Sequence, residues 1–175
     1  GLPEYHNTVY SEEKFNEMVI SQSHIKKQKY PPFSSKTVFS ESHNKKVPLW
    51  KLSKEGKLPE VMPTRDVDIK YINILSENEM KGSVLLDNIT ERINKLPKDS
   101  DFRQETILDS WNNLLDDNAL YKIYHMETRV SSGTYVRTIG NNLGGTVYDI
   151  YRTSVGDKCL LNPDRFDKYK FLCGI

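Results

Sequence analysis

Alternating apolar and polar positions predict three strands in this chain. Val67, Ile69 and Tyr71 alternate with charged residues, and this period of two is typical of a half-buried strand. The same alternation runs through residues 120–130 and residues 146–155. Each of these three segments is therefore predicted to be a strand.

Apolar positions at helical spacing predict helices around those strands. The clearest stripe ends at Pro97, where a helix must stop, and consists of Leu86, Ile89, Ile93 and Leu96. Further helices are predicted after Ser11, between Pro48 and Gly56, over 102–115, from Tyr135, and from Asn162 onward. Because strands and helices mix without regular alternation, we predict an α+β fold with a mixed or antiparallel sheet flanked by helices.

Charge is balanced over the whole chain but not along it. The 175 residues contain 25 basic and 24 acidic side chains, a net charge of +1, which excludes a histone-like or polyacidic protein. Residues 25–46 carry six lysines against one glutamate, a net +5, with three aromatic residues between them. Residues 77–117 carry ten acidic and five basic side chains, a net −5, which indicates a solvated flank or an insertion. Basic segments with aromatic residues are candidates for binding RNA; the candidate lysines are Lys26, Lys27 and Lys29.

Membrane, metal and disulfide chemistry find little support in the sequence. No apolar run approaches the roughly 20 residues that span a bilayer. Cys159 and Cys173 are 13 residues apart, without the spacing of metal ligands. Two such thiols are typical of a reducing compartment. We therefore expect an intracellular protein without a metal site, in the cytoplasm, the nucleus or a mitochondrion.

The strongest chemical signal is the segment Val-Ser-Ser-Gly-Thr-Tyr-Val-Arg at 130–137. A strand that enters such a turn and then a helix leaves backbone N–H groups without partners at the turn. Gly133 permits close approach of another backbone, and Arg137 follows one helical turn later on the same side. Arginine at this position can hold a carboxylate or a phosphate through two hydrogen bonds.

Several segments in one order extend this signal. Upstream lie Gln-Lys-Tyr-Pro-Pro-Phe-Ser-Ser-Lys at 28–36, Pro-Leu-Trp-Lys-Leu-Ser-Lys-Glu-Gly at 48–56 and Arg-Asp-Val-Asp-Ile at 65–69. Downstream lie Asn-Leu-Gly at 142–144 and Tyr-Arg-Thr-Ser-Val-Gly at 151–156. Over about four fifths of the chain, these segments resemble the motifs of the TruB-type tRNA pseudouridine synthases.

The resemblance implies an RNA-modifying isomerase that needs no metal or organic cofactor. In this family a uridine of the tRNA T-loop is flipped into a pocket, an aspartate attacks it, and the uracil detaches, rotates and rejoins through C5. For this chain the resemblance implies that Tyr135 lies against the flipped base and that Arg137 orients the catalytic carboxylate. It also implies substrate contacts by Gly133, Thr134, Lys36, Ile150 and Arg152, the last of these to the RNA backbone.

The nucleophile segment of that family, Gly-x-Leu-Asp-x-x-Ala-x-Gly, has no counterpart in these residues. Leu86 and Asp87 form a Leu-Asp pair, but they follow the Pro-Pro segment instead of preceding it. Phe33 also stands where the family has Tyr, and Tyr151 replaces the first of two arginines. We therefore expect the catalytic aspartate to lie upstream of Gly1.

The expected organisation is a partial pseudouridine-synthase-like catalytic domain over 1–158, with an insertion at 76–118 and a C-terminal helix over 159–175. Too few residues follow Gly156 for the RNA-binding PUA domain that often follows in that family. The expected partners are the T-arm of tRNA or another structured RNA, and the missing half of the catalytic domain, in the same polypeptide or as a separate chain. The alternatives are a TruB-derived RNA-binding protein without catalysis and a protein-interaction domain that uses the acidic residues 77–117.

Overall fold

The computed structural model describes residues 3, 10–97, 99, 101–155, 158–159 and 171–173. The helices are α1 (Glu12–Gln22), α2 (Leu49–Lys54), α3 (Gly82–Asn94), α4 (Gln104–Leu114) and α5 (Val136–Asn142), with a 3-10 turn at Glu41–His43. The strands are β1 (Lys27–Lys29), β2 (Thr37–Ser40), β3 (Lys45–Pro48), β4 (Thr64–Asp66), β5 (Ile69–Lys81), β6 (Leu120–Val130), β7 (Gly145–Val147), β8 (Ser154–Val155), β9 (Lys158–Cys159) and β10 (Phe171–Cys173). The fold is mixed α and β, as the irregular order of elements predicts.

The largest sheet is antiparallel and has the strand order β5-β6-β10-β7. Strands β5 and β6 pair over their whole length, from Ile69 opposite Val130 to Lys81 opposite Leu120. Strand β10 lies between β6 and β7 and is antiparallel to both. Three two-stranded antiparallel ribbons accompany this sheet: β1–β4, β2–β3 and β8–β9. Every strand pair in the described residues is thus antiparallel.

The two faces of β6 pack against different helices. On one face, Tyr124 and Met126 pack with α1 and α5, and the ring of Tyr124 stacks on Phe15 at 4.3 Å between centroids. On the other face, Tyr121 and Ile123 pack with the apolar stripes of α3 and α4. Because successive side chains of a strand point to opposite faces, helices cover this part of the sheet on both sides.

The acidic segment is part of the core rather than a solvated flank. Within residues 76–118 lie the second half of β5, then α3 and α4. Leu85 and Ile107 from these helices are buried with Trp111, and together they cover one face of the sheet. The acidic residues are all exposed, and four of them, Asp87, Glu91, Glu105 and Asp109, lie on the outer surface of these helices. This exposure is why the composition alone indicates a flank.

Two element predictions need correction. The predicted strand over 146–155 is interrupted, because β7 ends at Val147 and β8 begins at Ser154. The predicted C-terminal helix does not extend over Phe171–Cys173, which form β10, and residues 160–170 lie outside the described part of the chain. A short apolar run suits a central strand as well as a helix end, and pairing with β6 and β7 satisfies its backbone groups.

Candidate nucleic-acid interface

Gln28 joins strand β1 to the start of helix α5. It lies between two exposed lysines, yet it is only 4% exposed. Its side-chain nitrogen donates to the carbonyl oxygen of Tyr135 at 3.1 Å, and its Oε1 accepts from the backbone N–H of Tyr135 at 2.8 Å. Because Tyr135 is the N-cap of α5, these two hydrogen bonds fix the start of the helix against β1.

The ring of Tyr135 contacts Tyr30, which in turn contacts Lys36. The centroids of the two tyrosine rings are 5.8 Å apart and their planes lie at 69°, an edge-to-face contact. The Nζ of Lys36 lies 5.2 Å from the centroid of Tyr30, within the range of a cation–π contact. Two predicted site residues that are distant in the sequence, Tyr135 and Lys36, are thus brought together through Tyr30.

The turn before α5 is fixed by the hydroxyl groups of its own residues. The backbone N–H of Ser131 donates to the carbonyl oxygen of Asp68 at 2.8 Å, and its Oγ accepts from the N–H of Asp68 at 2.9 Å. The Oγ1 of Thr134 donates to the carbonyl oxygen of Ser131 at 2.9 Å. The hydroxyl of Thr134, predicted to contact substrate, therefore holds the turn in this structure.

Gly133 lies directly beneath the guanidinium group of Arg65. Gly133 has a φ of +79°, and a Cβ built on it would overlap the Nη1 and Cζ atoms of Arg65. A glycine is needed here for both reasons, the backbone conformation and the close approach. Arg65 makes no ion pair with any described residue, so its charge is available to a phosphate.

Asp68 places a carboxylate beside the same turn. It pairs with Lys70 and, at 3.5 Å, with Lys26. The pKa of Asp68 lies below its ordinary value, chiefly because of the hydrogen bond from Lys70. Partial burial opposes this shift, while the charge of Lys70 and the contact with Lys26 add to it. Part of the charge of Lys26 is thus neutralised within the protein, so we expect Lys26 to contribute less to RNA binding than its neighbours.

Lys27 and Lys29 extend from the opposite face of β1. Side chains alternate along a strand, so both lysines point away from Gln28, and both are exposed. Asp66 of β4 lies opposite Lys27 in register. The β1–β4 ribbon therefore has one face closed on Tyr135 and one basic face, and the predicted RNA-backbone lysines do not share a face with the tyrosine.

The remaining predicted site residues lie apart from this cluster. Arg137 is exposed in the first turn of α5 and makes no ion pair with the described residues. Ile150, predicted to contact substrate, is 49% exposed, and Arg152 is exposed as well. Within the described residues, no hydrogen bond, ring contact or ion pair joins Ile150 or Arg152 to Tyr135.

Two residues with defined contacts at this site received no role from the sequence. Gln28 gave a weak signal, a neutral residue between two lysines where the strand period places it on the inner face. Arg65 gave no such signal. Its position follows from the register of the ribbon, in which it lies opposite Gln28 and so on the same face.

Comparison with known proteins adds no relative, since no family model, curated protein or solved structure matches this chain. In the part of the chain that the structure describes, no group of three or more His, Cys, Asp or Glu side chains could hold a metal ion. Over the same residues, no helix has the length and apolar character required to cross a membrane.

Proposed function

We propose that this chain binds the T-arm of tRNA, or another structured RNA, and supplies part of the active site of a TruB-type pseudouridine synthase. The catalytic aspartate then comes from outside these 175 residues. The observation that carries the proposal is the cluster of Gln28, Tyr30, Lys36 and Tyr135. Through it, two segments that resemble separate motifs of that family are in contact.

The tyrosine pair suits recognition of an unstacked base. Flipping a nucleotide costs a few kcal/mol, least in a loop, and stacking on an aromatic ring returns about 1–3 kcal/mol per base. Tyr135 is half-buried, and its ring orientation is restricted by Tyr30 while Gln28 holds its backbone. A ring that is fixed before RNA binds loses little conformational entropy on binding.

The surrounding cations suit contacts to phosphate groups. Arg65 has no acidic partner among the described residues, and Lys27 and Lys29 project from the exposed face of the ribbon. Each phosphate neutralised by such a side chain releases counterions, which makes binding strong at low salt and weak at high salt. The RNA backbone is proposed to pass over the exposed face of the ribbon, which carries Lys27 and Lys29. The unstacked base is proposed to reach around the ribbon to Tyr135, which lies on its other face.

Arg137 is assigned to the chemistry rather than to affinity. Its planar guanidinium group can hold a carboxylate by two parallel hydrogen bonds. In the proposed enzyme it orients the aspartate that attacks the flipped uridine. The second candidate is an RNA-binding protein without catalysis, which uses the tyrosine pair and the cation of Lys36 in the same way but needs no carboxylate beside Arg137.

The test is binding of a fluorescently labelled T-arm hairpin, measured by anisotropy beside an unstructured RNA of equal length. The proposal predicts tighter binding of the hairpin, with affinity that falls steeply from about 50 mM to about 200 mM salt. Equal or undetectable binding of both RNAs at the lower salt would refute it. Formation of pseudouridine by a longer polypeptide that includes the aspartate segment distinguishes the enzyme from the binding protein.

A further inference from the structure

A single side chain, Arg92 of α3, holds the segment that follows β7. Its Nη2 lies 2.6 Å from Oδ1 of Asp149, and its Nη1 donates to the carbonyl oxygen of Tyr148 at 3.3 Å. Its guanidinium carbon is 5.3 Å from the centroid of the Tyr148 ring. One arginine thus makes an ion pair, a hydrogen bond and a cation–π contact to two consecutive residues.

The segment held in this way has no regular secondary structure of its own. Residues 148–153 belong to neither a helix nor a strand, so side-chain contacts have a large influence on their conformation. The Oδ1 of Asp149 also accepts a hydrogen bond from the backbone N–H of Ile150 at 2.9 Å. A continuous series of contacts therefore runs from Arg92 through Asp149 to the backbone of Ile150.

The same helical pair also contacts the other proposed RNA-binding segment. The guanidinium carbon of Arg103, at the start of α4, lies 3.5 Å from the centroid of the Phe33 ring in the Pro-Pro segment. Asp101 accepts from the Nζ of Lys54 at the end of α2, at 2.6 Å. Helices α3 and α4 are thus attached both to the Pro-Pro segment and to residues 148–149.

We infer that helices α3 and α4 form a positioning element of the RNA-binding site, in which Arg92 is the positioning residue for Ile150 and Arg152. This inference rests on the proposed function, because RNA contact by Arg152 is part of that proposal. Arg92 itself does not touch RNA; it acts by fixing the backbone that carries Arg152. Loss of Arg92 therefore weakens RNA binding only through Arg152.

The test is a double-mutant cycle on T-arm affinity with R92A, R152A and the double variant. We expect R152A to weaken binding about five-fold, the loss of roughly one charged contact. R92A weakens it by a similar factor, and the double variant is no weaker than R152A alone. The control is K95A, because Lys95 is the C-cap of the same helix and pairs only with Glu91 of that helix among the described residues, at 2.6 Å.

A second measurement needs no RNA. In the free protein, R92A and D149N are expected to accelerate hydrogen exchange of the Ile150 amide about ten-fold, whereas K95A leaves it unchanged. The inference would be overturned if the double variant loses affinity by the product of the two single losses. It would also be overturned if R92A leaves the hydrogen exchange of the Ile150 amide unchanged. If R152A has no effect on affinity, the proposed RNA contact of Arg152 fails, and exchange at Ile150 alone decides whether Arg92 positions the segment.

Discussion

Gln28 and Tyr135 are 107 residues apart in the chain and form two reciprocal hydrogen bonds. The side-chain amide of Gln28 places its NH2 donor beside its carbonyl acceptor, and these two groups pair with the carbonyl and N–H groups of a single residue. Gln28 thus provides Tyr135 with the two backbone hydrogen bonds that a paired residue of a neighbouring strand would make. Strand β1 and helix α5, which hold separate motifs, are joined at this point.

Replacement of Gln28 by alanine removes both hydrogen bonds and leaves the partly buried backbone N–H of Tyr135 without a partner. The carbonyl oxygen of Tyr135 still accepts a hydrogen bond from the backbone N–H of Thr138. We expect Gln28→Ala to lower the free energy of unfolding by about 2 kcal/mol in urea denaturation. Lys29→Ala, one position further along the same strand and exposed, is the matched control and should change it by less than about 0.5 kcal/mol. Similar effects of the two substitutions would contradict the contact.

Alanine substitutions at Gly133 and Gly56 distinguish the effect of backbone strain from the effect of displacing Arg65. Both have positive φ, +79° and +68°, but a Cβ on Gly56 meets nothing within 4 Å. Each alanine substitution should cost about 1–2 kcal/mol of stability for the left-handed backbone. The stabilities should be similar, because the end of the Arg65 side chain can swing aside.

The two glycine variants should differ in RNA binding. Gly133→Ala moves Arg65 from its place, and we expect a loss of T-arm affinity of about five-fold. Gly56→Ala leaves affinity unchanged, since no described residue of the proposed site lies against it. Equal affinities, measured by anisotropy on both folded variants, would remove Arg65 from the interface.

Asp101 predicts a pH dependence of stability. The hydrogen bond from Lys54 lowers the pKa of Asp101 from 3.8, followed by a hydrogen bond from the backbone of Arg103 and the charge of Lys54. A carboxyl whose pKa is lower in the folded protein stabilises it above the pKa of the unfolded chain, and this contribution is lost as the pH falls through the folded pKa. Asp101→Asn should therefore be less stable than the parent at pH 7, with a difference that shrinks toward about pH 2.

The control for Asp101 is an acidic residue on α4, the helix that follows it. Asp109 is exposed on α4 and makes no ion pair with the described residues. Asp109→Asn should therefore show no comparable change between the two pH values in urea denaturation. A stability difference for Asp101→Asn that is the same at both pH values would show that the pair with Lys54 contributes nothing.

Arg137 is predicted to separate turnover from binding. In a polypeptide that includes the aspartate segment, Arg137→Ala should abolish pseudouridine formation yet weaken RNA binding only modestly, because its proposed partner is a carboxylate. Arg129→Ala removes another exposed arginine without an ion pair among the described residues and should retain turnover. Substantial turnover by Arg137→Ala would place Arg137 outside the active site.

The pattern of apolar and polar residues correctly predicts the elements whose buried side chains recur at one regular spacing, either the spacing of a strand or that of a helix. Strand β6 has the predicted bounds, 120–130, since its apolar residues alternate between two helical layers. Helices α3 and α4 follow from their apolar stripes. The alternating polarity of residues 148–153 predicts a strand, but Arg92, which is 56 residues from Tyr148, contacts Tyr148 and Asp149 at the start of this segment, and no strand forms there.

The candidate site shows the same division between local and distant information. The turn at 131–134 and the helix start at Tyr135 follow from neighbouring residues. The role of Gln28 depends on a partner 107 residues away, and that of Arg65 on the register of β1 with β4. The pattern of neighbouring residues does not indicate either of these contacts, so both could be identified only from the three-dimensional structure.

The most direct test of RNA binding by the basic face compares two double variants that remove the same charge. K27A/K29A alters the exposed face of β1, whereas K14A/K95A removes two lysines that pair with Glu17 and Glu91 on helices α1 and α3. The measurement is the slope of log affinity against log salt for the T-arm hairpin. We predict that K27A/K29A flattens this slope by about 1.4–1.8, since each phosphate contact contributes about 0.7–0.9, and that K14A/K95A leaves it unchanged. Equal slopes for both variants would contradict RNA binding through this face.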